Sequence, residues 1–287
     1  MSSALVNAWL FLNEDAPSGS NYDTKGSCYQ TLISNNVYQA VDILYLCFVT
    51  TVPASNNPFY TVEIGSAAHP GGLTNQDYMS YVLRDARQNN PKIKIAVTLD
   101  WGQPDILSNI FSNTKYSDQQ NAQGFAANLA AYLLKCGLDG FDVDWEHPVS
   151  TAITTSQFQL LFDSIRAAFA KLEQQTGKHY YLTLSPAEVG NLDAAAVNRS
   201  VDFVNLQLYS GFTYANEFTR AGVDRKLLAY GAKFESNYED AQKAYAGYSK
   251  GGYSVITQWR LNSDNFDFEQ EQQKQLYQLI KPSSAGR

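Results

Sequence analysis

Residues 137–148 read Gly-Leu-Asp-Gly-Phe-Asp-Val-Asp-Trp-Glu-His-Pro. Apolar and acidic side chains alternate here with a period of two, which predicts a β-strand at Gly140–Glu146. On such a strand the acidic side chains share one face and the apolar ones, including Trp145, the other. We expect the apolar face to pack against the surrounding helices in the core. The acidic face consists of Asp142, Asp144 and Glu146.

Outward from this stretch, short β-branched or aromatic runs alternate with stretches of helical periodicity, and eight such rounds fill the chain. The predicted strands are Leu5–Leu12, Asp42–Thr51, Lys92–Asp100, Gly140–Glu146, His179–Ser185, Phe203–Ser210, Lys226–Ala232 and Tyr253–Trp259. The predicted helices are Ser27–Ser34, Asn75–Gln88, Ser117–Lys135, Ser156–Gln175, Leu192–Arg199, Asn216–Gly222, Tyr238–Ser249 and Phe268–Ile280.

Regular strand–helix alternation favours a parallel sheet with its crossovers outside, and eight units close into a (β/α)8 barrel of about 250 residues. We therefore predict an α/β fold, a (β/α)8 TIM barrel, with residues 1–287 as one catalytic domain and no clear α+β insertion. The Pro-, Gly-, Ser- and Asn-rich stretch Pro53–Thr74 is predicted to be a long loop at the C-terminal rim, where barrel active sites form.

Composition excludes several functions. The chain has 21 Lys and Arg against 28 Asp and Glu, a net charge of −7, which argues against a nucleic-acid partner. No run approaches the roughly 20 apolar residues that cross a bilayer, so no membrane segment is expected. The N-terminus has no basic region and reaches Asn13 too early for a signal peptide.

The cysteines and histidines are scattered along the chain and form no cluster with metal-ligand spacing. We therefore expect buried free thiols, no zinc site and no cofactor. These residues are Cys28, Cys47, Cys136, His69, His147 and His179.

Three carboxylates on one buried face are costly unless they share protons or find hydrogen-bond partners. Catalysis can use the arrangement, because packed like charges raise the pKa of at least one member. We expect Glu146, nearest the mouth of the barrel, to stay protonated as a general acid, and Asp144 to remain ionised. Two other interpretations are an acidic turn with a structural role and a Mg²⁺ or Ca²⁺ site.

With Asp139 ahead of them, these acids form Asp-x-x-Asp-x-Asp-x-Glu, which resembles the fourth-strand motif of glycoside hydrolase family 18, the chitinases and endo-β-N-acetylglucosaminidases. The resemblance continues elsewhere. Gln207–Ser210 is similar to the family's sixth-strand motif in the style of small plant-type chitinases, and Tyr181–Pro186 resembles their fifth strand. Trp259 falls where the family has the tryptophan that floors the sugar site.

Two positions depart from the family pattern. The third-strand Ser-x-Gly-Gly appears as Thr98-Leu99-Asp100-Trp101, which keeps a hydroxyl but replaces the small residues. Ser210 stands where the family has Asp or Asn, which predicts a changed contact near the substrate acetamide.

The resemblance implies a substrate-assisted, retaining mechanism, in which the substrate's own N-acetyl group is the nucleophile. Glu146 would protonate the glycosidic oxygen and later activate water, while Asp144 and Tyr209 would orient the acetamide. Asp142 would share a proton or hydrogen bond with Asp144. The expected substrate-binding residues are Trp259, Gln207, Trp101 and Asp139.

The first functional hypothesis is a chitinase that cleaves β-1,4 bonds between N-acetylglucosamine units. The second is an endo-β-N-acetylglucosaminidase that cuts the chitobiose core of N-glycans, and the third a chitin-binding lectin or inhibitor that has lost catalysis. Under all three the partner is an N-acetylglucosamine polymer or oligosaccharide. The resemblance also implies a secreted protein, and we expect a monomer.

Overall fold

Among residues 4–234 and 238–281, which the structure describes, nine strands and ten α-helices follow one another along the chain. The structure is a computed structural model. The strands are β1 (Leu5–Phe11), β2 (Ile43–Pro53), β3 (Tyr60–Ile64), β4 (Lys94–Leu99), β5 (Gly140–Trp145), β6 (Tyr181–Pro186), β7 (Phe203–Leu206), β8 (Leu228–Lys233) and β9 (Val255–Trp259).

Every predicted helix is present, with ends within two residues of the prediction, and two single-turn helices, α3 and α5, are added. The helices are α1 (Cys28–Ser34), α2 (Asn75–Asn89), α3 (Asp105–Ser108), α4 (Asp118–Cys136), α5 (Val149–Ala152), α6 (Thr155–Thr176), α7 (Ala194–Ser200), α8 (Ala215–Arg220), α9 (Tyr238–Gly247) and α10 (Phe266–Ile280).

The strands hydrogen-bond in the order β1-β9-β8-β7-β6-β5-β4-β2-β3, and β1 also pairs with β2. Eight strands therefore form the closed parallel barrel that the alternation predicted, a (β/α)8 fold. The register sets Asp142 of β5 beside Thr183 of β6 and Thr98 of β4. Because both neighbours of Asp142 are threonines, this register places hydroxyl groups on either side of the acidic face of β5.

The chain divides into two compact units. The first comprises Met1–Cys47, Gly65–Ile95 and Ala229–Arg287, and the second Phe48–Ile64 and Ala96–Leu228. No helix among the described residues has the length and apolar composition that spanning a bilayer requires.

In the first unit, a buried polar cluster joins the segment after β1 to the start of α2. His69 Nδ1 lies 2.7 Å from Asp15 Oδ2, and its Nε2 lies 2.7 Å from Asn75 Oδ1. The Tyr78 hydroxyl donates to Asp15 Oδ1 at 2.6 Å, and its ring stacks on the His69 ring. His69, for which the sequence indicated no function, is thus buried in this hydrogen-bonded cluster.

In the second unit, capping residues set the ends of the two long helices. Ser117 and Gln120 form a capping box at α4, and Thr154 and Gln157 form one at α6. Both helices end at a glycine with positive φ, as C-terminal caps commonly do. The strand β5 is buried throughout, and its Trp145 packs edge-on against Phe158 of α6, as expected of a core residue.

Two sequence predictions need correction. The segment Pro53–Thr74 is not only a loop, because Tyr60–Ile64 forms the antiparallel strand β3, which pairs with β2 from Val49↔Ile64 to Pro53↔Tyr60. The predicted strand Phe203–Ser210 ends at Leu206, since the backbone leaves the extended conformation at Gln207 (ψ 60°), and a 3-10 turn follows at Leu208–Ser210.

Candidate active site

The acidic residues of β5 lie where the period of two places them. Asp142 is fully buried and Asp144 is 7% exposed, while Glu146 follows the last residue of the strand and is half-buried. The row therefore leads from the interior toward the C-terminal end of β5, and its last member is the one that solvent reaches most.

Asp142 lies among hydroxyl groups. It accepts hydrogen bonds from Thr183 Oγ1 at 2.6 Å and from Ser185 Oγ at 2.8 Å, and Thr98 supplies a third. Burial raises the pKa of Asp142 to about 6, against the opposing effect of these three donors. Thr98 thus keeps the hydroxyl that the family motif has at this position.

Asp144 and Glu146 are coupled. Burial raises the pKa of Asp144 well above its ordinary value, and the charge of Glu146 and a hydrogen bond with that residue raise it further. The direction of this shift runs against the expectation that Asp144 remains ionised, which stays a prediction. Asp144 is also the more deeply buried of the two, which favours its neutral form.

Gln207 bridges this pair. Its Nε2 donates to Asp144 Oδ1 at 2.9 Å, to Glu146 Oε1 at 2.7 Å and to the Ser185 carbonyl at 3.1 Å. The Tyr209 hydroxyl donates to Gln207 Oε1 at 3.1 Å. The structure thus brings together the four residues Asp144, Glu146, Gln207 and Tyr209, and gives Gln207 a positioning contact in addition to its predicted contact with substrate.

Ser210 uses its hydroxyl within the turn that follows Tyr209. Its Oγ lies 2.8 Å from Thr213 Oγ1 and accepts from the Thr213 amide at 3.1 Å. The departure from the family's Asp or Asn therefore removes a longer side chain and stabilises the local turn. The same turn exposes Phe212 (58%) and Tyr214 (54%), two aromatic rings beside the site that the sequence analysis did not single out.

The second departure, Asp100-Trp101, directly follows β4. Asp100 Oδ1 accepts from the Gly102 amide at 3.0 Å, and its negative charge is among those that raise the pKa of Asp144. Trp101 is 39% exposed, so its indole is available for stacking. Its contact with substrate remains a prediction.

The structure does not support a direct sugar contact for Asp139. This residue precedes β5, seven residues before Glu146, and a strand rises about 3.3 Å per residue, so about 23 Å separates the two positions. Asp139 instead lies at the other end of the strand, where its carbonyl accepts from the Tyr181 amide at 2.9 Å.

Trp259 ends β9 in the first unit, half-buried among other aromatic rings. Trp9 meets it edge-on with ring centroids 6.0 Å apart, Phe11 lies 6.4 Å away, and the Arg260 guanidinium lies over the ring at 5.6 Å. Trp9 itself is 3% exposed and packs in the core. Stacking of Trp259 on a sugar remains a prediction.

Within the described part of the chain, no group of three or more His, Cys, Asp or Glu side chains has an arrangement that could hold a metal ion. The described cysteines Cys28, Cys47 and Cys136 are free thiols.

A (β/α)8 barrel with two adjacent carboxylates at the C-terminal end of a strand has the architecture of a barrel enzyme, with its acids at the end where such active sites lie. Residues 22–258 match the sequence profile of "Glycosyl hydrolases family 18", and the chain belongs to this family.

The individual relatives and solved structures share at most moderate sequence identity with the chain over the matched residues. The chain is similar to chitotriosidase-1 of Mus musculus, with 28% identity over 149 residues, 47% of this chain and 30% of the relative. It thus spans less than a third of that relative's length. The fold is similar to that of the class V chitinase of Nicotiana tobaccum, with a TM-score of 0.69 and 15% identity over 96% of this chain and 99% of that chain. It is about equally similar to a chitinase-like agglutinin of Robinia pseudoacacia, with a TM-score of 0.68 and 15% identity over 96% and 100% of the two chains.

Proposed function

We propose that the protein is a chitinase, which hydrolyses β-1,4 bonds between N-acetylglucosamine units with retention of configuration, and that residues 1–287 act as one catalytic domain. The observation that carries the proposal is the hydrogen-bonded pair Asp144–Glu146, bridged by Gln207, whose own oxygen accepts from Tyr209. Such a pair holds a proton and can place it on either carboxylate.

In the first step, the acetamide N–H of the sugar binds to Asp144, which favours the ionised form of that carboxyl. The shared proton then lies on Glu146, which protonates the glycosidic oxygen as the C–O bond breaks. The electron pair of that bond goes to the leaving oxygen, and the acetamide oxygen bonds to the anomeric carbon. Asp144 stabilises the positive charge of the resulting oxazolinium, and the Tyr209 hydroxyl turns from Gln207 Oε1 to donate to the same acetamide group.

In the second step, the Glu146 carboxylate takes a proton from water, whose oxygen attacks the anomeric carbon and displaces the acetamide oxygen. Each step inverts the anomeric carbon, so the product retains the configuration of the substrate. A glucan without an acetamide group has no nucleophile for the first step, and cellulose oligomers should not react.

The names of the relatives support this choice of substrate. One relative is named chitotriosidase-1 and one solved structure is named a class V chitinase. The similarity to a chitinase-like agglutinin supports an alternative, a lectin that binds the same sugar without cleaving it. The remaining alternative, an endo-β-N-acetylglucosaminidase acting on N-glycans, uses the same chemistry. We further propose, from family membership, a secreted monomer.

The test is product mass spectrometry after incubating the protein with N-acetylglucosamine oligomers, a high-mannose glycopeptide or cellulose oligomers. Cleavage of the N-acetylglucosamine oligomers alone is expected. Cleavage of the glycopeptide alone would identify an endo-β-N-acetylglucosaminidase. Binding of N-acetylglucosamine oligomers with no cleavage of any substrate would identify a lectin and contradict the proposal.

A further inference from the structure

The segment that follows β6 lies against the segment that carries Glu146. Residues 187–191 contact residues on both sides of this carboxylate. On the N-terminal side, the Ala187 amide donates to the Trp145 carbonyl at 3.1 Å, and Trp145 Nε1 donates to the Val189 carbonyl at 3.0 Å.

On the C-terminal side, the contacts converge on Ser150. Its amide donates to the Glu146 carbonyl at 2.8 Å, and its own carbonyl accepts from the Asn191 amide at 2.8 Å. Gly190 packs so closely that a Cβ there would lie 2.5 Å from the Ser150 carbonyl oxygen. The backbone position of Glu146 is therefore coupled to that of Ser150.

One of these contacts is made by a carboxylate side chain. The Ser150 hydroxyl donates to Glu188 Oε1. Ser150 is fully buried, whereas Glu188 is half-buried. Loss of the acceptor would leave a buried hydroxyl without this hydrogen bond, which favours a rearrangement of Ser150. Because the Ser150 amide is bonded to Glu146, such a rearrangement would displace the general acid.

We infer that Glu188 and Ser150 are positioning residues for Glu146, an inference that rests on the proposed role of Glu146 as the acid. A catalytic group must be held within about 0.5 Å of its productive position. Gln207 holds the carboxylate end of Glu146 at 2.7 Å, and the Ser150–Glu188 bond holds its backbone. The role of Glu188 is to accept a hydrogen bond, so an amide oxygen at the same place should replace it.

The first experiment measures kcat and KM for an N-acetylglucosamine tetramer. We expect Ser150→Ala and Glu188→Ala to lower kcat about tenfold with KM nearly unchanged, because a displacement well below 1 Å costs less than the about 100-fold of a full 1 Å misplacement. Glu188→Gln should restore most of the activity. Equal losses in Glu188→Gln and Glu188→Ala would overturn the inference and indicate that the negative charge itself matters.

Ser200→Ala is the matched control. Ser200, the last residue of α7, is also buried, and its hydroxyl donates to a carboxylate, Asp163 Oδ1 of α6, at 3.0 Å. This variant should lower the thermal midpoint about as much as Ser150→Ala does and leave kcat unchanged. Equal kcat losses in the two serine variants would show that general destabilisation, and not positioning, is responsible.

Hydrogen exchange separates this inference from the proposed function. The peptide covering residues 146–153 should exchange about tenfold faster in Ser150→Ala than in Ser200→Ala, whether or not the protein cleaves the tetramer. Unchanged exchange in this peptide would overturn the positioning role. A wild-type protein without hydrolytic activity would contradict the proposed function alone.

Discussion

At the scale of single residues, burial raises the pKa of both buried aspartates of β5, and their neighbours make the two differ. Asp142 is surrounded by three hydroxyl donors and has a pKa of about 6, whereas Asp144 faces Glu146 and the charge of Asp100. Hydroxyls favour the ionised form of Asp142 and like charges disfavour that of Asp144. Two aspartates two residues apart thus differ in their surroundings, since hydroxyl donors face Asp142 and other carboxylates face Asp144.

The raised pKa of Asp142 predicts how stability depends on pH. The unfolded state loses this proton near pH 4 and the folded state near pH 6, so between these values the folded state binds more protons. Stability is therefore fully present at low pH and falls as the pH rises through about 6, by about 3 kcal/mol from this group.

Asp142→Asn removes this titration. Its free energy of unfolding relative to wild type should increase by about 3 kcal/mol between pH 4 and pH 8, as measured by urea unfolding at each pH. Asp23→Asn, an exposed carboxylate, controls for the loss of one negative charge. Parallel pH profiles for wild type and Asp142→Asn would contradict the prediction.

Much of this site was predictable from the sequence, because a period of two places side chains on faces whatever surrounds them. The motif identified Asp142, Asp144 and Glu146, and the fold brings Gln207 and Tyr209 to the last two of them. Which acid holds the proton was not predictable. Depth of burial and the positions of neighbouring charges decide it, and both depend on residues distant in sequence.

At the scale of elements, the β2–β3 hairpin packs on α4. The Phe59 ring lies where a side chain at Gly124 would be, so a Cβ at this position would overlap the ring. Asn57 and Asn128 exchange side-chain hydrogen bonds at 2.8 and 3.0 Å beside this contact. Glycine is normally unfavourable inside a long helix, but at position 124 its missing side chain leaves the space that Phe59 of the hairpin occupies.

This contact predicts a change of sign. Gly124→Ala should destabilise the wild type by about 1–3 kcal/mol through overpacking. In a Phe59→Ala background the same change should stabilise by about 0.5–1 kcal/mol, since alanine is the better helix former. The measurement is a double-mutant cycle by chemical unfolding. The same effect of Gly124→Ala in both backgrounds would contradict the packing contact.

The helices and parallel strands were predictable because each has a characteristic hydrophobic periodicity, and the long helices also have capping residues at their ends. It missed β3 because the five residues Tyr60–Ile64 lie in a stretch rich in Pro, Gly, Ser and Asn. The hairpin is stabilised by packing against Gly124 of α4, about 60 residues further along the chain. The residues of the hairpin alone do not indicate this contact.

At the scale of the whole molecule, the net charge of −7 would attract or repel a charged substrate at long range, but not a neutral one. An N-acetylglucosamine oligomer is neutral, so no long-range attraction steers it to the protein. We therefore expect kcat/KM for the tetramer to change less than about twofold between about 0.05 and 0.5 M NaCl. A steep dependence of this kcat/KM on salt concentration would contradict the expectation, because it would show that ionic interactions control the reaction of a neutral substrate.

We propose that Glu146 is the acid that cleaves bonds between N-acetylglucosamine units. The most direct test compares wild type with Glu146→Gln on the tetramer, using product mass spectrometry for the rate and calorimetry for binding. The variant should bind the tetramer as wild type does and cleave it about 10²–10⁴-fold more slowly, the contribution typical of general acid catalysis. Equal rates of cleavage in the two proteins would show that another group supplies the proton.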